Sequence, residues 1–108
     1  MKLITKEIER LCKSNLKKPE NERIPYLKLF NAYGHGVWLI SEIEDDGKLF
    51  GLCDLGFGTP ELGYVHIDEI KEQKWGSLPM IERDAWFKPE KTLMQYYDTA
   101  RSHGEIRT

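Results

Sequence analysis

Residues 48–70, KLFGLCDLGFGTPELGYVHIDEI, decide the fold. The stretch reads as two short strands, over 49–53 and 63–67, joined by a loop with turn signals at Gly56, Gly58 and Thr59-Pro60. The loop exceeds the roughly two to five residues usual in a hairpin. Asp68 then offers a cap for a helical turn that starts at Glu69.

Upstream, residues 37–44 form a further strand, and Glu44-Asp45-Asp46-Gly47 closes a hairpin, Asp-Gly being a strong turn signal. Pairing through that turn places Val37, Leu39 and Ile43 with Phe50 and Leu52 on one face. Trp38 and Ile40 share the other with Leu49, Gly51 and Cys53. Both faces are apolar, so one needs a terminal helix and the other later loops or a partner. Gly51 in mid-strand marks a bulge or a close backbone approach.

Residues 24–30 alternate into a first strand, followed by the glycine-bracketed turn Tyr33-Gly34-His35-Gly36. Thr5 caps an N-terminal amphipathic helix whose inner face is Ile4, Ile8, Leu11 and Cys12, and 19–22 is a polar connector. Beyond the central stretch, 68–74 reads as a short helix, 75–79 as an irregular turn and 80–87 as an edge strand stopped by Lys88-Pro89. Residues 90–102 form a second terminal helix, with Leu93, Tyr97 and Ala100 inward and Met94 beside them, ending at His103-Gly104. The expectation is one α+β domain over 1–108: an antiparallel sheet of four to five strands flanked by an N-terminal and a C-terminal helix.

A chain of 108 residues holds one domain, and its 12 aromatics are enough to supply most of a small core. No apolar run approaches the roughly 20 residues of a membrane span, and the start lacks the features of a signal peptide. Cys12 and Cys53 are too few for a disulfide framework, so a soluble, reducing, cytoplasmic setting is expected. The net charge of −2 hides an asymmetry. Residues 1–28 balance at +4, residues 29–70 at −7, and residues 71–108 at +1. An acidic middle repels phosphate backbones and attracts basic protein surfaces, so a protein partner is favoured over direct nucleic-acid binding.

Three constellations invite chemistry. Glu82, Arg83 and Asp84 are the densest charged group. Glu82 and Asp84 share a strand face as a general acid/base or metal pair requires, and ion pairs that fix an edge strand are the plainer reading. Cys53, His66 and His35 are candidate ligands for zinc, and no other cofactor is indicated. Their spacing lacks any paired ligand motif, and a buried thiol with a surface imidazole is the plainer reading. Lys2, Lys6, Arg10, Lys13, Lys17 and Lys18 make a small basic arm suited to a nucleic-acid accessory role, although amphipathic helices are commonly Lys-rich on their solvent side.

The stretches LITKEI (3–8), YLKLF (26–30), VWLISEIEDDGKLFGL (37–52), PELGYVHIDEI (60–70) and LPMIERDAWFKP (78–89) resemble the domain of unknown function 2958 family, in order along about nine-tenths of the chain. Members typically carry Phe-Ser-Leu where this chain has Val65-His66-Ile67, and an apolar residue at Cys53. The resemblance implies a soluble α+β domain from plasmids, conjugative elements and phages, and it supplies no catalytic residue. The segment 90–102 lies outside the stretches that carry it.

Charge and setting together favour a small mobile-element or phage-type binding protein. It is expected to inhibit a host nucleic-acid-processing defence system, of anti-CRISPR or anti-restriction type, by meeting a basic nuclease surface. Its partner-binding candidates are Glu42, Glu44, Asp45, Asp46, Asp54 and Glu61. A metal-dependent or carboxylate-based enzyme built on Glu82, Asp84 and His66 is the alternative.

Overall fold

Four strands follow one another in a meander: β1 (Leu27–Asn31), β2 (Val37–Ile43), β3 (Lys48–Asp54) and β4 (Glu61–His66). The computed structural model describes residues 2–108. Helix α1 (Lys6–Ser14) precedes the meander, and a short α2 (Ile67–Lys71) follows it. A small hairpin, β5 (Lys74–Trp75) and β6 (Leu78–Pro79), leads into β7 (Ile81–Arg83), and α3 (Leu93–His103) ends the fold. Strand β7 returns to pair with β1, giving an antiparallel five-stranded sheet in the order β4-β3-β2-β1-β7.

Each terminal helix covers one face. Ile4 and Ile8 pack with Leu27, Leu29, Trp38, Ile40 and Leu49, to which α2 adds Ile70. On the other face Leu93, Tyr96 and Ala100 of α3 pack on Leu39 and Leu52. The fully buried leucines and isoleucines contribute about 1.5–3 kcal/mol each. Aromatics supply less of this core than composition suggested, since only Trp38 and Tyr96 of that class are buried among the described residues. Trp86, Phe57 and Trp75 stand in solvent.

The hairpin reading of β2 and β3 holds up to Ile40. There Ile40 faces Gly51 and the next pair is Glu42 with Phe50, so Ser41 is an extra residue in a β-bulge. The bulge reverses the alternation, and Ile43 packs on the α1 face rather than with Leu39. Gly51 is the residue that permits it: a Cβ there would lie 1.9 Å from the Leu39 carbonyl oxygen.

Four other expectations shift. The first strand begins at Leu27, after a 3-10 turn at Glu20–Glu22 and the buried Pro25. The helix after β4 is capped by His66, not Asp68: the imidazole accepts from the Asp68 N–H at 3.1 Å, and Glu69 reaches back to the His66 N–H at 3.1 Å. Residues 75–79 belong to the β5–β6 hairpin, and the edge strand shrinks to β7 because Asp84 turns the chain by accepting from the Trp86 N–H. Helix α3 starts at Leu93 behind a Thr92–Gln95 capping box, and Tyr96, i+3 from Leu93, is buried beside the expected Tyr97, which packs partly buried on the same cluster.

A candidate binding surface at the β4 edge

Strand β4 pairs with β3 over six consecutive positions and has no strand on its other side among the described residues. The Ile67 N–H donates to the Gly47 carbonyl at 2.9 Å, which fixes the alternation of the ladder. Glu61, Gly63 and Val65 turn their backbone groups to β3, whereas Leu62 and Tyr64 direct theirs outward.

On the α1 face Gly63 sits opposite Gly51, and two glycines leave the sheet bare there. The result is a groove of ≈ 410 Å³ over Trp38, Ile40 and Cys53, with Glu61 and Glu69 among the residues lining it. Glu61 opens β4 and Glu69 lies just past its end, so one carboxylate stands near each end of the strand. No lysine, arginine or histidine lines the groove among the described residues. Gly63 is not required by the backbone: its φ is not left-handed, and a Cβ added there would meet nothing within 4 Å. Tyr64, 63% exposed, and Leu55, 51% exposed, add apolar surface at the rim.

The turn Glu44-Asp45-Asp46-Gly47 is fastened to the same edge. The His66 ring donates through Nε2 to the Asp46 carbonyl at 2.7 Å while Nδ1 accepts from Asp68, an arrangement that fits the neutral Nε2–H tautomer. Glu44, Asp45 and Asp46 therefore lie near Asp68 and Glu69, all exposed.

Of the six carboxylates expected to meet a partner, two are internal. Asp54 is 7% exposed and accepts from the N–H groups of Gly56 at 2.9 Å and Ile106 at 3.0 Å, tying the C-terminal tail to β3. Glu42 pairs with Arg23 at 3.0 Å in a half-buried contact that spans the chain before β1 and β2. Asp45 and Glu44 are exposed but partly offset by Lys13 at 3.2 Å and Lys48 at 3.6 Å. Asp45, then Glu9, holds the Lys13 ammonium above its usual range. Glu61 and Asp46 are exposed, as are Asp68 and Glu69, which the His66 cap holds close to the turn.

The zinc candidates are not brought together. Cys53 pairs with Glu61 at one end of the β3–β4 ladder and His66 with Lys48 at the other, about 17 Å along the strand. They also face opposite sides, because five positions separate them. His35 lies against the loop after β3, where a Cβ on Gly56 would come within 2.6 Å of it. Burial, then the neighbouring Asp54 charge, pushes the Cys53 thiol up, which suits a neutral packing group. Among the described residues no three His, Cys, Asp or Glu side chains are grouped as metal ligands would be.

The carboxylate-enzyme constellation separates too. Glu82 and Asp84 belong to β7 and the turn after it, at the opposite edge from His66, about 19 Å across four strand spacings. Arg83 donates to the Lys2 and Leu3 carbonyls, anchoring the chain ahead of α1, and Asp84 pairs with Lys28 at 3.7 Å. These residues hold β7 in place. In the basic arm Arg10 pairs with Glu7 and Lys13 with Glu9, both in exposed contacts.

The model of the family described as "Protein of unknown function (DUF2958)" matches residues 3–107. The chain belongs to the DUF2958 family. The match takes in α3, so in this DUF2958 domain the C-terminal helix is part of the family unit rather than an appendage outside it. No curated protein and no solved structure matches the chain. No helix among the described residues is long and apolar enough to cross a membrane.

Proposed function

We propose that this DUF2958 domain is a binding protein of mobile-element or phage type. It inhibits a host nucleic-acid-processing defence system, of anti-CRISPR or anti-restriction type, by occupying a basic surface on one of its proteins. The observation that carries the reading is the placement of exposed carboxylates around one open sheet edge: Glu61 at the start of β4, Asp68 and Glu69 after its end, and the turn of Glu44, Asp45 and Asp46 fastened beside them. Nucleic-acid channels of such enzymes are basic, and an acidic surface of this size is attracted over about a Debye length, ~8 Å at physiological salt. The mobile-element setting implied by the sequence resemblance supplies the kind of host protein.

The test is capture of partners from nuclease-treated bacterial lysate by the wild-type domain and by a variant carrying Glu44→Lys, Asp45→Lys and Glu61→Lys. None of these side chains caps a helix or a turn, and the exposed pairs they make contribute little to stability. The expected result is a basic nuclease, or its guide complex, retained by the wild type and lost by the variant at an unchanged melting temperature. Capture unaffected by the three reversals overturns the reading.

A further inference from the structure

We infer that the β4 edge is a strand-addition site, and that its occupant is an extended segment of the basic partner with a basic residue two positions from an apolar one. This deepens the proposed function and rests on it for the partner's charge. Three features of the edge point the same way. Leu62 and Tyr64 present their N–H and C=O groups outward, and no group among the described residues takes them up. Strand edges that proteins protect carry lysine, proline or a bulge, whereas Glu61–His66 has an unbroken register and none of the three. Beside that edge lies the groove, lined by Gly51 and left open by Gly63.

The alternation of the sheet then dictates the ligand pattern. An added strand turns every second side chain to the α1 face. A residue opposite Gly63 would place an apolar side chain over the groove floor of Trp38, Ile40 and Cys53. Its neighbour two positions away would lie opposite Glu61. Charge selects the occupant: the groove holds two carboxylates and no cation among the described residues. A second copy pairing through β4 would bring its own Glu61 and Glu69 to this edge and supply neither lysine nor arginine from that strand. Main-chain hydrogen bonds supply affinity in this mode and alternate side-chain pockets supply selectivity.

The experiment is a fluorescence-anisotropy titration of the full chain with four labelled peptides of roughly seven residues. One carries leucine at its centre with arginine two residues to either side and serine between, one replaces arginine by glutamate, and two repeat the first with alternate backbone nitrogens methylated, one in each frame. The expected result is binding of the first and of the one methylated frame whose methyl groups point away from β4, weakened about tenfold or more by Gly63→Val, whose side chain enters the groove. Because the methylated peptides are tested on the unaltered protein, the outcome does not depend on how that variant folds. Binding that survives methylation in both frames, equal binding of the glutamate peptide, or no binding of the arginine peptide overturns strand addition. A concentration-dependent dimer abolished by Gly63→Val also overturns it, in favour of a second copy. Lysate capture that is lost with the three charge reversals yet unaffected by Gly63→Val overturns this inference and leaves the proposed function standing.

Discussion

The side-chain amide of Asn15 donates to the Ser41 carbonyl at 2.8 Å, joining the end of α1 to the bulged residue of β2. The same amide donates to the Ile24 carbonyl at 2.8 Å, and its oxygen accepts from the Ile24 N–H at 3.0 Å. Asn15 is fully buried, so one side chain satisfies three backbone groups that have left regular pairing. Asn15→Ala strands these groups away from water and should destabilise the domain by about 3 kcal/mol in urea unfolding. A loss well below 1 kcal/mol would show that water takes over the contacts.

The two facing glycines should respond in opposite ways. Gly51→Ala forces a methyl group against the Leu39 carbonyl and should cost about 3 kcal/mol, with backbone movement at the bulge. Gly63→Ala meets open space and should be neutral or stabilising by up to about 1 kcal/mol, since alanine loses less chain entropy than glycine in a strand. Thermal melts of both variants decide it. Equal effects would mean that the bulge relaxes more easily than its geometry indicates.

Cys12 gives the domain an alkaline limit. Burial pushes its thiol from 9.0 to about 12, and the nearby Glu42 charge adds to the rise. The folded state therefore keeps a proton that the unfolded chain releases. Its contribution is complete below pH 9 and declines as pH rises from 9 toward 12, by about 1.4 kcal/mol per pH unit. Urea unfolding of wild type and Cys12→Ala between pH 8 and 11 should show the wild type losing its advantage across this window. Parallel profiles would remove Cys12 as the cause.

The fold was legible where local chemistry dictated it: the Thr5 cap, the Asp46-Gly47 turn and the alternation up to Ile40 all appear as read. What escaped depends on tertiary contacts. The switch of Ile43 to the other face needs the extra Ser41, which Asn15 holds from a distant helix. Gly51 flagged the irregularity without stating which strand carried it. The candidate surface was harder to read, because charge in a sequence says nothing about burial. Asp54 reads in the sequence as one more carboxylate available to a partner, yet the Ile106 N–H, fifty-two residues later, donates to it. The β4 edge itself was invisible, since being an edge is a property of strand order. Only the return of β7 to β1 leaves β4 without a second neighbour.

That return of β7 has a consequence for the order in which the protein is made. During synthesis the segments of β1 to β4 emerge in turn, and each strand can pair with the one just before it. The far side of β1, however, stays bare until residues 81–83 leave the ribosome, and the α3 face until residues 93–103 follow. A nascent domain thus passes through an interval with two exposed sheet borders and one uncovered apolar layer, the kind of species that invites wrong pairing. When the chain is finished, β7 covers that side of β1 and becomes a border only three residues long, and the layer is roofed. The longer border that persists, β4, is flanked by carboxylates, and the like charges of neighbouring copies discourage them from meeting there.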